Sequence, residues 1–328
     1  MTAPGQTPHD DRHVPLALLK LPGMGRRRLG LVLARLGSHV PVTCAEFGEF
    51  VGAAAAALKF HPPTAPDLDR AWSEGGRLAE ACTRHAWHLW IVGHPDYPPG
   101  LARLPDPPAL LFVHGPTASA PASRVAVVGT REPSPWGDRT ARECAGAAVS
   151  AGAVVVSGLA WGVDTAAHEA ALVAGGVTWA VLPGSLDVVF PSSNTALAER
   201  IVASGGALVS EYLPGSRPHP TFFIERDRLQ AALSDAVVVI ETGTTGGTMH
   251  TVRFAREIGV PVHVTFPEGV EAAPSAWLAT LPEPQQGTWR LLQEGAPRIT
   301  PAQIPALVAS AGPTRATPPP GARGRLFD

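Results

Sequence analysis

The sequence predicts a doubly wound, mostly parallel α/β sheet preceded by a small helical domain. Apolar runs recur between about residues 109 and 266, and each closes on small or polar residues. The stretches between them carry helical spacing, and two further helical patterns flank a Pro-Gly turn near the N-terminus.

The runs are ALLFVHG (109–115), VAVVGTR (125–131), AVVVSGLAWG (153–162), VTWAVLPGS (177–185), ALVSEY (207–212), AVVVIETGTTGG (236–247) and PVHVTFPEG (261–269). A continuous apolar run, rather than an alternating one, marks a strand covered on both faces. Between the second and third, Ala141, Cys144, Ala145, Ala148 and Val149 make the stripe of a helix packed on a sheet. Alternation of strand and helix gives the doubly wound order, and ligands of such sheets sit beyond the carboxyl ends of the strands.

Upstream, LALLKLPGMGRRRLGLVLARLGS (16–38) places two helices around Pro22-Gly23-Met24-Gly25, a helix-hairpin-helix pattern. Glycines there let a backbone approach phosphate; the plainer reading is a tight turn between packed helices. Residues 54–68 turn from alanine-rich to proline-rich, a helix followed by a linker. The expected division is a flexible 1–13, a helical domain with its linker at 14–85, the sheet domain at 86–312 and a disordered Pro/Gly/Arg-rich tail at 313–328.

Composition excludes several functions. The chain has 328 residues, 26 Lys+Arg against 28 Asp+Glu, and a net charge of -2, so a polyanion must be met by a local patch. Lys20 and Lys59 are the only lysines, and such a patch is therefore built of arginine, which forks onto phosphate and stacks on bases. Three scattered cysteines, Cys44, Cys82 and Cys144, form no CxxC pair, which argues against a disulfide framework or a zinc site and fits a reducing cytoplasm. No apolar run reaches the ~20 residues that span a bilayer, and no export signal is expected.

The strand ends share glycine, hydroxyls and arginine: Gly129-Thr130-Arg131, Ser157-Gly158, Gly184-Ser185 and Thr242 through Thr248. Exposed N–H groups, hydroxyl donors and helix N-termini make an anion cradle, although each loop alone reads equally well as a tight turn. No loop carries G-x-G-x-x-G at the first strand or GxxxxGK[ST], so neither a standard dinucleotide site nor a Walker ATPase is supported. His168 reads as a helix residue hydrogen-bonded near the sheet, and Glu211 and Glu241 as carboxylates that organise loops. No catalytic set, metal or cofactor is expected.

In order, the segments DYPPGLARLPDPPALLFVHG, VAVVGTR, SGLAWGVDTAAHEAAL, AVLPGSLDVVFPSSN, SEY, FFIERDRLQAALSDAVVVIE, GGTMHTVRFA and GTWRLLQEGA resemble the DprA/Smf family of DNA-processing proteins. The resemblance runs from about residue 16 to about 310. It implies a Rossmann-like sheet, a helix-hairpin-helix or SAM-like N-terminal unit, and a cytoplasmic homodimer. It implies single-stranded DNA binding and protection, loading of a RecA-type recombinase in transformation or recombination, and no turnover. Arg131 is the first expected DNA contact, with backbone of Gly129 and Thr130 assisting. Arg226 and Arg228 match the arginines of an R-N-R element and are expected to line or buttress the pocket, unless ion pairing with Glu225, Asp227 or Glu241 claims them. Ser157, Gly158, Arg217, Gly246, Gly247 and Thr248 complete the expected set.

Two departures stand out. Asp227 occupies the position where the family usually has Asn, and Gly246-Gly247-Thr248 replaces a Ser-Gly-Ser loop. A C-terminal winged-helix module, present in many members, is not expected. The competing reading is a nucleotide-cleaving phosphoribohydrolase of the LOG type, which TGTTGGTMHTV echoes, but Met249, His250 and Thr251 stand where its glutamate belongs. A nucleotide sensor using the same cradle is a third.

Overall fold

The computed structural model describes residues 11–36, 40–116, 123–267 and 281–311. Residues 1–10 and 312–328, which hold most of the two expected flexible ends, lie outside them.

The chain begins with helices α1 (His13–Leu19), α2 (Arg26–Leu33), α3 (Cys44–Leu58) and α4 (Ala65–Arg84). The turn between α1 and α2 uses Gly23 at φ +69°, and its carbonyl accepts from the Arg28 guanidinium, as a tight turn requires. Residues 59–64, with Pro62 and Pro63, form the non-helical connection between α3 and α4. Thr64 and Asp67 cap each other's backbone at the start of α4, and a proline in its first turn removes an N–H that has no helical partner there.

These helices do not enclose a core of their own. Leu16, Leu18 and Phe47 share one buried cluster with Trp87, Phe112 and Leu208 of the sheet. Each such side chain contributes roughly 1.5–3 kcal/mol by leaving water.

The sheet has eight strands in the order β1-β2-β6-β5-β4-β3-β7-β8. They are β1 (Trp87–Ile91), β2 (Leu110–His114), β3 (Arg124–Val128), β4 (Val154–Ser157), β5 (Thr178–Val181), β6 (Ala207–Ser210), β7 (Ala236–Val239) and β8 (Val262–Val264). From β6 to β8 every pairing is parallel; β1 and β2 add an antiparallel edge. All seven expected runs hold a strand. β1 was not among them, because the exposed His88 breaks WHLWI and only Trp87 and Trp90 of it are buried.

Side chains alternate between the faces. Val125, Val127 and Val155 pack under α5 (Pro135–Ser150) and α6 (Val163–Val173). Val154, Val156, Val181 and Val209 pack under α8 (Pro220–Ala232) on the other face. Between them α7 (Thr195–Ala203) joins the first face, and α9 (Gly247–Glu257) and α10 (Glu283–Gln293) the second. Helix α11 (Ile304–Ala311) closes over α5. The chain steps outward from β3 through β6 and then returns beside β3 as β7, so the sheet's switch point lies between β3 and β7. Among the described residues no helix is long and apolar enough to cross a membrane.

Candidate functional site

Beyond the carboxyl ends of β3, β4 and β5 lies a shallow hollow lined by Arg131, Gly158, Trp161, Phe190, Phe223 and Arg226, with Ala160, Pro183 and Pro191. Its walls are three loops and the first turns of α8. The GTR loop after β3 is rigidly held: Thr130 N–H donates to the Glu241 carbonyl (2.7 Å), and Thr130 C=O accepts from Val163 N–H (3.1 Å). Gly129 is packed so closely that a Cβ would lie 2.6 Å from Val163. The Thr130 N–H and C=O are thus committed inside the protein, which corrects the expected assisting role of that backbone, and Gly129 permits the close packing on Val163.

What the loop presents is Arg131. Its side chain is exposed, lies over the Phe223 ring with 5.4 Å to the centroid, and makes no ion pair among the described residues. Neither Glu211 nor Glu241 reaches it. Glu241, fully buried at the switch point, accepts from Ser134 N–H and Oγ–H (2.8 Å each) and from the Gln285 amide (3.0 Å). It is an organiser of the loop that opens α5.

Arg226 forms the floor. Nη1 donates to the carbonyls of Gly158 (2.6 Å) and Val181 (3.0 Å), and Nε stands 3.2 Å from Asp227. Gly158 is needed for this, since a Cβ there would fall 1.6 Å from Nη1. Asp164 braces the β4–α6 loop from below by accepting Gly158 N–H (3.1 Å) and Ala160 N–H (3.3 Å). That loop also holds buried Leu159 at φ +60° and Gly162 at φ +75°, a local strain of the kind that projects Trp161 outward. Trp161 and Phe190 pack as tilted rings at 6.3 Å, and Phe190 meets Phe223 edge-on at 5.6 Å, so one continuous aromatic rim joins the arginines.

Arg228 does not line the hollow. Residues two apart on a helix point in nearly opposite directions. Arg228 turns away from Arg226, pairs with Glu211 and donates to the Asp106 carbonyl (3.0 Å). Its ion-pair partner is none of the three carboxylates considered from sequence; Arg226 does meet one of them, Asp227. Ser157 is also placed elsewhere than expected: fully buried, it donates to the Val127 carbonyl (2.8 Å) and has its hydroxyl inside the sheet. Arg217 is exposed in the loop between β6 and α8, outside the lining residues. Gly246, Gly247 and Thr248 start α9, also outside the lining, with Gly247 close to Asp227: a Cβ on it would lie 3.4 Å from the carboxylate. His168 is buried, bonds Thr178 Oγ1 through Nδ1 (2.7 Å) and is lowered to about 3 by burial, so it stays neutral.

The sequence reading did not single out Trp161, Phe190, Phe223 or Asp164. Three of these are aromatic residues in loops or at a helix start, inside motifs already quoted. An aromatic residue that follows a strand-end glycine motif is the signal that finds Trp161.

The family described as DNA recombination-mediator protein A matches residues 88–306 of the chain. A DNA processing protein DprA of Mycobacterium tuberculosis is 37% identical over 211 residues, 64% of this chain and 49% of that protein. The chain thus spans about half the length of that curated relative. The X-ray structure of DprA from Streptococcus pneumoniae superposes with a TM-score of 0.71 at 26% identity, covering 92% of this chain and 99% of the other. DNA processing protein A of Helicobacter pylori, whose structure concerns its single-stranded DNA binding mode, gives a TM-score of 0.58 at 28% identity, covering 69% and 97%.

Proposed function

Because the chain belongs to the DNA recombination-mediator protein A family, the DprA/Smf proteins, we propose that it binds single-stranded DNA in the hollow around Arg131. The observation that carries this reading is Arg131 itself, an exposed guanidinium with no ion pair among the described residues, set on Phe223 within an aromatic rim. A guanidinium meets phosphate and exposed rings stack unpaired bases, the combination that suits a flexible single strand. The bound strand is protected and handed to a RecA-type recombinase, in recombination or transformation, by a cytoplasmic homodimer.

The protein acts without turnover in this reading. Glu241 is committed to Ser134 and Gln285, and His168 is buried and neutral, so neither supports acid–base work at the hollow. Incubation with nucleoside monophosphates is expected to release no free base; release that is lost on Glu241→Gln would overturn this part. For binding, single-stranded and duplex oligomers of one sequence are titrated at equal salt. Tighter binding of the single strand is expected, and equal or tighter binding of the duplex rejects the proposal. Recombinase loading is read by the rate at which a RecA-type filament forms on strands coated with single-strand-binding protein. No acceleration on adding this protein removes that step.

A further inference from the structure

We propose that Asp227 makes strand binding proton-linked: its carboxyl takes up a proton as a phosphate docks at the hollow, and affinity rises below neutrality. The inference rests on the single-strand reading and concerns a residue below the binding surface, a positioning group rather than a contact.

The geometry of the buried charges leads to it. Asp227 and Asp164 are both buried beneath the hollow and share the one guanidinium of Arg226. That guanidinium already spends Nη1 on two carbonyls. Two buried carboxylates in a low-dielectric site that both draw on a guanidinium already serving two carbonyls do not both ionise freely.

The two acids are not equivalent. Burial raises the Asp164 carboxyl too, but Asp164 accepts two backbone N–H groups, which favour its charged form. Asp227 Oδ1 meets Arg226 Nε at 3.2 Å and, with the Gln230 amide oriented to satisfy both its ends, accepts from it at 3.1 Å. Asp227 Oδ2 has no hydrogen-bond partner among the described residues. An ionised oxygen left bare in the interior is costly, whereas a protonated one is tolerated. The proton therefore belongs on Asp227.

Around the Asp227 carboxyl, its own helix α8 supplies Arg226 and Gln230; α6 supplies Asp164, with neutral His168 behind Arg226; the GTR loop supplies Arg131; α9 brings the backbone of Gly247. Burial is the leading cause that raises Asp227, to about 7; Arg226 and Arg131 oppose it and the Asp164 charge adds to it. A phosphate on Arg131 cancels one of the two opposing cations and adds negative charge nearby. Both changes move Asp227 further toward its neutral form, so binding draws a proton from solvent.

The experiment titrates a thymidine oligomer, which has no group that ionises in the range used, between about pH 6 and about pH 8 at constant salt. Affinity is expected to rise roughly three- to tenfold toward the acid end. Asp227→Asn is expected to abolish that dependence and to bind throughout with the acid-end affinity. Should the variant fold poorly, calorimetry of the unaltered protein in two buffers of different ionisation enthalpy counts the proton directly, with net uptake expected. A pH-independent affinity, absence of proton uptake, or a pH dependence that persists in Asp227→Asn overturns the inference while leaving single-strand binding in place. No saturable binding at any pH overturns the single-strand reading, and the inference with it.

Discussion

On one side of α8, Arg228 and Arg26 sit among Asp106, Glu211 and Glu225; on the other, Arg226 and Arg131 border a hollow open to solvent. The first cluster is closed. Arg26 reaches Asp106 at 2.8 Å and Glu225 at 3.3 Å, both arginines reach Glu211, and Tyr212 donates to Glu225 (2.8 Å). Every charge there has a partner, and the cluster fastens the N-terminal helices to the sheet. The second is left open, because its carboxylates lie beneath Arg226 and none pairs with Arg131. Arginine content alone does not mark a polyanion site; what separates the two clusters is whether every guanidinium has an acid, and among the described residues Arg131 has none.

The strongest break of this contrast is Arg228→Ala. It strips a guanidinium from Glu211, whose side chain is only 9% exposed, and is expected to cost about 3 kcal/mol of stability. Thermal melting reads the loss, and single-strand affinity of the folded protein is expected to change little. Arg131→Ala gives the opposite pattern. Binding weakens by ~1–3 kcal/mol, the slope of log K against log salt falls by about 0.7, and melting barely moves. Arg131→Lys restores most of the slope and less of the affinity, since charge returns without the planar fork. A stability loss in Arg131→Ala with normal binding would merge the two clusters into one structural role.

Asp227 sharpens the comparison from the stability side. Its folded-state value near 7 lies above the ordinary carboxyl value of 3.8, so between these the folded chain holds more protons than the unfolded one. The sign follows: stability present in acid is lost as pH rises through about 7. At about pH 8, Asp227→Asn is expected to melt higher, by ~1–2 kcal/mol; a lower melting point would place a stabilising charge there. The smallest effect belongs to Arg26→Ala. This side chain is 30% exposed, and about 1 kcal/mol is expected in melting.

Much of this architecture is legible in the bare chain. Strands buried on both faces betray themselves by composition, as in Val125–Val128 and Ala236–Val239, and the position of Arg131 follows from its place after such a strand. Other features needed the third dimension. Whether Ser157 faces ligand or sheet depends on the pleat at one strand end, and which acids surround which arginine depends on contacts such as Arg26 with Glu225, far apart in the chain. The divergence of Arg226 and Arg228 was readable, because helical phase alone forbids both from facing one hollow. Beside it, β1 escaped because His88 interrupts the apolar run.

The two-faced character of α8 also has an evolutionary consequence. One residue turns a helix by about 100°. A single insertion or deletion between Phe223 and Arg228 would therefore swing the fastening arginine out of its acidic nest while the floor of the hollow stayed behind, or the reverse. Substitutions along this helix change one contact at a time. A change of length moves several together, so among descendants of this gene the spacing from Phe223 to Arg228 should drift far less than the residues that fill it.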